Sequence, residues 1–239
     1  MGVVFLVRHA QASFLEPNYD KLSKLGEAQA RLLGEYWARH KFLFERACTG
    51  PCIRQKDTLM LVSAEYRKAG MQFPGPMELR EFDEYPGEAV LEGGLPELLE
   101  CDKNIRDLHS AFQSSRGATE RRATFQRLFE AVIGKWVLEV ICPPGVETWL
   151  EFCSRVNSGV TKFLSAGSRG EKTAIFTSGG PIAVAMQRAL QLSAENTLGV
   201  SWVSRNSSWS EFLYSGERFT LSGFNCHPHL DDPAMLTHR

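Results

Sequence analysis

Charge of one sign, long apolar runs and closely paired cysteines are all scarce in this chain, and each shortage removes a class of function. The sequence has 27 Lys and Arg against 28 Asp and Glu over 239 residues. It therefore lacks the basic surface that a nucleic-acid binder needs, and any anionic ligand has to be caught locally. No uncharged apolar segment reaches the roughly 20 residues of a membrane-spanning helix. The opening run Gly2 to Val7 stops at Arg8, with no basic start and no small-residue cleavage site, so it reads as a strand rather than an export signal. Leu6 stands where Ser or Thr would favour myristoylation of Gly2. A cytoplasmic protein is expected, with no membrane and no nucleic-acid partner. The cysteines fall at 48, 52, 101, 142, 153 and 226, and no second close pair accompanies Cys48 and Cys52. That spacing offers no zinc site, so they are expected to be reduced, buried thiols with no metal. There is no internal repeat and no low-complexity segment.

What is present is a strand and helix alternation. Hydrophobic residues make up 43% of the chain, enough for a sizeable core, and residues 1–239 are expected to form one domain. Residues 3 to 7 are a short β-branched run, as in a strand buried on both faces. From Ser23 to Lys41 the rhythm is helical, with Leu25, Ala28, Leu32, Leu33, Tyr36 and Trp37 on the apolar face. A strand is expected over Phe44 to Thr49, then a turn at Gly50-Pro51 and a helix from Ile53 to Ala69. Ala174 to Thr177 reads as another strand, followed by Ser178-Gly179-Gly180-Pro181 and a helix from about Ile182 to Leu192. The stretch from about 84 to 145, with charged amphipathic segments such as Ala123 to Val140, reads as a helical cap inserted into the sheet. A helix from Glu147 to Leu164 leads back to the 174 strand. Trp209 to Tyr214 and Arg218 to Ser222 read as hairpin arms, and Phe224 to Arg239 as an irregular tail.

Three of these segments end in polar residues suited to phosphate. In open α/β sheets ligands gather at the carboxyl ends of strands, where helix N-termini point free N–H groups at anions. Arg8 and His9 follow the first strand, Arg54 follows the second, and Ser178 and Gly179 follow the 174 strand. A neutral imidazole can attack phosphorus while guanidinium groups hold the equatorial oxygens.

Leu6-Val7-Arg8-His9-Ala10-Gln11-Ala12-Ser13 resembles the Arg-His signature of the histidine phosphatase superfamily, the phosphoglycerate-mutase-like group. Thr49-Gly50-Pro51-Cys52-Ile53-Arg54-Gln55-Lys56-Asp57-Thr58 resembles its second phosphate-binding segment, with Arg54 and Thr58 on pattern and Gly50 a local departure. Leu79-Arg80-Glu81-Phe82-Asp83-Glu84-Tyr85-Pro86-Gly87 resembles the segment carrying the general acid. There Glu81 is the expected acid, with Asp83 and Glu84 as close rivals. The late segment departs from the family: where most relatives carry a second histidine before Gly-Gly, this chain has Ser178.

The resemblance implies an α/β three-layer sandwich with a mainly parallel central sheet. It also implies a metal-independent phosphomonoester hydrolase that requires no cofactor and acts on a phosphorylated small molecule through a phosphohistidine on His9. Arg8, Arg54, Gln11, Ser178 and Gly179 would hold phosphate, and His9, Glu81, Arg8 and Arg54 would carry catalysis. Gln11 and Ser13 read equally as turn residues. A hydroxyl at 178 brings no positive charge, which leaves three readings open. The Ser178, Gly179 and Gly180 groups suffice as an anion nest, another cation enters from the cap or tail, or catalysis is lost and the chain is a phosphate-binding scaffold. The tail segment Asn225-Cys226-His227-Pro228-His229 holds two imidazoles that have no assigned place. A phosphomutase is the remaining alternative.

Overall fold

The computed structural model describes residues 1–13, 20–166 and 170–238. These divide into two compact units, Met1–Glu84 with Ser154–Arg239, and Tyr85–Cys153.

In the first unit, six strands among the described residues form one sheet in the order β3-β2-β4-β1-β5-β6. These are β1 (Gly2–Arg8), β2 (Arg46–Thr49), β3 (Pro76–Glu78), β4 (Lys172–Thr177), β5 (Trp209–Ser215) and β6 (Arg218–Cys226). β1 runs parallel to β4, β4 to β2 and β2 to β3, while β5 and β6 are antiparallel. The sheet is thus mainly parallel with an antiparallel edge.

β1 sits in the middle, and its alternate side chains divide the core. Phe5 and Val7 join Ala174, Phe176 and Trp209 on one face, beneath α1 (Lys24–Arg39) and α2 (Ile53–Lys68) through Leu33, Trp37, Leu59 and Val62. Val4 and Leu6 join Ile175 and Phe212 on the other, packed against α6 (Trp149–Ala166) and α7 (Gly179–Leu190) through Val160, Phe163, Ile182 and Ala185. Helices therefore cover both faces, which makes three layers.

Several sequence expectations are corrected. The buried face of α1 is Gly26, Gln29, Ala30, Leu33, Gly34, Trp37 and Ala38, whereas Leu25, Ala28, Leu32 and Tyr36 are half-buried at its flank. Close approach turns the helix. A Cβ on Gly34 would come within 2.9 Å of the Val62 backbone of α2, and one on Gly26 within 2.1 Å of the Gln11 carbonyl oxygen. β3, three exposed residues beginning with proline, carries no apolar pattern to detect. Nor does the pattern mark the helix α8 (Ala194–Val203), which Ser193 caps by accepting from the Asn196 amide at 3.2 Å. The tail is less irregular than expected, since β6 extends to Cys226 and a short 3-10 turn covers Pro233–Met235; Arg239 lies outside the described residues. All six cysteines are free, but only Cys48 and Cys153 are buried; Cys52 and Cys226 are half-buried and Cys101 and Cys142 are exposed.

In the second unit, α3 (Gly87–Cys101), α4 (Lys103–Ser114) and α5 (Ala118–Val137) follow one another. Asp102 caps α4 by accepting from the Ile105 amide, and it also pairs with Lys135 at 2.6 Å. Trp136 and Trp149 meet edge to face, with centroids 5.5 Å apart, and the Trp136 indole donates to the Glu147 carbonyl.

Among the described residues no helix is long and apolar enough to cross a membrane.

Candidate functional site

Strand register brings three chain segments level. Arg8 at the end of β1 lies opposite Thr177 of β4, and Thr49 at the end of β2 lies opposite Phe176. The residues that follow each strand therefore emerge on one edge. The His9 amide continues the ladder to the Thr177 carbonyl at 2.8 Å, and the Gly50 amide reaches the Phe176 carbonyl at 2.9 Å.

His9 is 5% exposed. Its Nδ1 lies 2.7 Å from the Ala10 carbonyl oxygen, an acceptor, so Nδ1 carries the proton. Nε2 then has its lone pair, and the Arg54 Nε–H donates to it at 3.2 Å. Burial first, and then the charges of Arg54 and Arg8, hold the imidazole well below its ordinary pKa of 6.5, with the Ala10 contact acting in the opposite sense. The result is a neutral ring with an unprotonated Nε2 between cations. Its backbone is tied from several elements. The His9 carbonyl accepts from Asn206 Nδ2 at 3.2 Å and from the Ser207 amide at 3.3 Å, and the next amide, of Ala10, donates to Thr58 Oγ1 of α2 at 3.0 Å.

Arg54 sits in the first turn of α2. Its Nη1 pairs with Asp20 Oδ1 at 2.6 Å, and Asp20 also accepts from the Ile53 amide at 2.8 Å, at the start of the same helix. Arg8 Nη1 donates to the Ser204 carbonyl, at the C-terminal cap of α8. Its guanidinium lies close to Gly179, where an added Cβ would be 3.8 Å from Nε.

Ser178 is fully buried at the N-cap of α7. Its Oγ accepts from Gln55 Nε2 at 2.8 Å, which leaves its own proton to donate elsewhere. The Gly180 amide in the first turn of α7 donates to Glu84 Oε2 at 3.3 Å.

The structure thus brings Arg8, His9, Arg54, Ser178 and Gly179 together. It does not bring Glu81 to them. Glu81 pairs with Lys162 of α6 at 2.6 Å, and the hydrogen bond from Lys162 leads the interactions that lower its carboxyl pKa. A lowered pKa is the wrong direction for a proton donor. The carboxylate beside the α7 N-terminus is Glu84. The loop between them is drawn to α6 by Arg155, whose Nη1 donates to the carbonyls of Arg80, Glu81 and Asp83 at 3.1, 3.2 and 3.2 Å.

Gln11 is placed as a latch on α1. Its Oε1 accepts from Ser23 Oγ at 2.8 Å and its amide donates to Gln29 Oε1 at 2.9 Å. Ser13 donates from Oγ to the Leu22 carbonyl.

Sequence reasoning missed Asp20, Gln29, Gln55, Ser204 and Asn206. Each belongs to the site only through partners 18 to 208 positions away in the chain, and none carried a local signal.

Among the described residues no three His, Cys, Asp or Glu side chains gather as metal ligands would.

Known structures share this fold. A putative α-ribazole-5'-P phosphatase from Escherichia coli aligns with a TM-score of 0.64 at 16% identity, covering 94% of this chain and 96% of its own. YhfR from Bacillus stearothermophilus aligns at 0.66 and 14%, covering 97% and 100%. The mycobacterial glucosyl-3-phosphoglycerate phosphatase Rv2419c aligns at 0.60 and 16%, covering 94% and 98%. Among curated proteins no significant sequence match is found. The model of the histidine phosphatase superfamily (branch 1) matches residues 99–227, just over half of the chain. This chain belongs to the histidine phosphatase superfamily.

Proposed function

We propose that the protein hydrolyses a phosphomonoester of a small molecule through a phosphohistidine on His9. The observation that carries this reading is the neutral His9 imidazole, with Nδ1 held by the Ala10 carbonyl and the bare Nε2 beside Arg54. In the first step Nε2 attacks phosphorus and the ester P–O bond breaks. The leaving oxygen takes a proton from Glu84, which replaces Glu81 in this role. In the second step water attacks the phosphohistidine, its proton returns to Glu84, and the N–P bond breaks to release orthophosphate. Arg8 and Arg54 hold the equatorial oxygens, and the Gly179 amide and Ser178 hydroxyl complete the cradle at the α7 N-terminus. Arg54 yields its contact with Nε2 when phosphorus arrives in line, and Asp20 keeps it aligned meanwhile. The scheme uses no metal. Residues 1–239 form one domain in this reading, with a helical cap inserted at about 84–145.

A phosphate-binding scaffold without turnover is the second reading, and the uncharged Ser178 favours it. The test is hydrolysis of a generic aryl phosphate by purified protein, with and without chelator, beside His9→Ala and Ser178→His. Chelator-resistant turnover lost in His9→Ala, with acid-labile phosphate on the parent, is the expected result. Turnover that survives His9→Ala overturns the reading. A silent parent that gains activity as Ser178→His points to the scaffold.

A further inference from the structure

We propose that the C-terminal segment supplies the cation that Ser178 does not, through the imidazole of His238. This rests on the reading that the pocket around His9 binds a phosphoryl group. A phosphomonoester dianion brings two negative charges. Arg8 and Arg54 bring two positive ones, but Asp20, paired with Arg54, takes one back. The pocket needs a further donor.

The Ser204 carbonyl places it. That oxygen accepts from Arg8 Nη1 and also from His238 Nδ1, at 3.3 Å. Two donors on one acceptor lie no further apart than their bonds laid end to end, about 6 Å. The His238 ring is therefore a neighbour of the guanidinium assigned to phosphate. With Nδ1–H on Ser204, Nε2 is the atom left for the ligand, and the residue is exposed.

The placement is built rather than incidental, because the preceding residues are tied to the site itself. The Asn206 amide donates to the Thr237 carbonyl at 2.8 Å, and Thr237 Oγ1 donates to Asn206 Oδ1 at 2.9 Å. The same Asn206 side chain donates from Nδ2 to the His9 carbonyl. On the other side Gln29 Nε2 donates to the Met235 carbonyl at 2.8 Å and to Thr237 Oγ1 at 2.9 Å, while Gln29 Oε1 accepts from the Gln11 amide. Two side chains, Asn206 and Gln29, thus fasten both the His9 loop and the segment that presents His238. The sequence offered His227 and His229 as spare imidazoles. His229 is instead 6% exposed with Nε2 on Ser207, and His227 contacts Arg205.

The test is calorimetric titration of the full-length protein with orthophosphate, for the parent, His238→Ala, His238→Gln and Arg54→Ala. Loss of a charge-assisted hydrogen bond predicts about tenfold weaker binding in His238→Ala. His238→Gln, which keeps a donor, recovers part of it, at an unchanged melting temperature. In a Ser178→His background the same alanine costs less, because a second imidazole already faces the ligand. Binding by His238→Ala within twofold of the parent, with Arg54→Ala still defective, overturns the inference and leaves the phosphatase reading standing. Binding that depends on His238 in a protein without turnover keeps the inference and removes the hydrolysis. A parent that binds no orthophosphate overturns both.

Discussion

His229 offers a quantitative handle on the packing behind the site. Its ring stacks on Trp209 with centroids 5.9 Å apart, Nε2 meets Ser207 Oγ at 2.6 Å, and Nδ1 is buried without a hydrogen-bond partner among the described residues. Burial, reinforced by His227, lowers its pKa from 6.5 to about 3. Because the folded value is depressed, the unfolded chain takes up this proton first. The stabilisation from a neutral His229 is complete above pH 6.5 and is lost as the pH falls from there toward about 3. At pH 5 the loss is about 2 kcal/mol, and through the middle of the interval it grows by about 1.4 kcal/mol per pH unit. His9 contributes in the same direction, so the comparison has to isolate one residue. Urea unfolding at several pH values between 4 and 7, for the parent and for His229→Gln, does so. The glutamine has no proton to gain and keeps a partner for Ser207. The parent curve should be steeper by close to one proton below pH 6. Parallel curves would refute the reasoning, because they would mean that folded His229 protonates as readily as unfolded. Since the Ser207 amide also holds the His9 carbonyl, acid should loosen the loop that carries His9 together with this stack.

Other perturbations test separate links. Glu84→Gln is expected to lower aryl phosphate turnover by about 10² to 10⁴ and Glu81→Gln by little, read as kcat at saturating substrate; equal losses would return the acid role to Glu81. Gly26→Ala pushes a Cβ against the Gln11 carbonyl and should cost about 2 kcal/mol in urea unfolding, while also raising KM through the loop that carries His9. In a timed labelling experiment read by mass spectrometry, Cys101 and Cys142 should react first. Cys48 and Cys153 should wait for unfolding, since burial pushes their thiols to about 11 and about 12.

The legible part of the site is the part set by strands. Arg8-His9, Arg54 and Ser178 each follow a short apolar run, and parallel register alone brings such ends together. The proposed acid was not legible in the same way. Glu81, Asp83 and Glu84 crowd one loop, and which of them meets α7 is decided by Arg155 holding three carbonyls from a helix about 70 residues later. Close packing in place of hydrophobicity hid the true face of α1, because Gly26 and Gly34 admit neighbours without adding to any apolar pattern. Gln29 reads as a surface residue of an amphipathic helix, and its fully buried side chain is explained only by partners at residues 11, 235 and 237.

The central place of β1 sets a problem of timing. β1 is apolar on both faces, and its two neighbours in the sheet come from far later in the chain, residues 172–177 and 209–215. Until synthesis has passed residue 177, β1 has neither of the strands that flank it, and its unpaired backbone is open to pairing with other chains. Contacts of such long sequence separation also slow folding. Aggregation during synthesis, more than instability of the finished fold, is therefore the hazard this topology carries. Substitutions that make Gly2 to Val7 less prone to associate should raise the yield of folded protein even where they leave its stability unchanged.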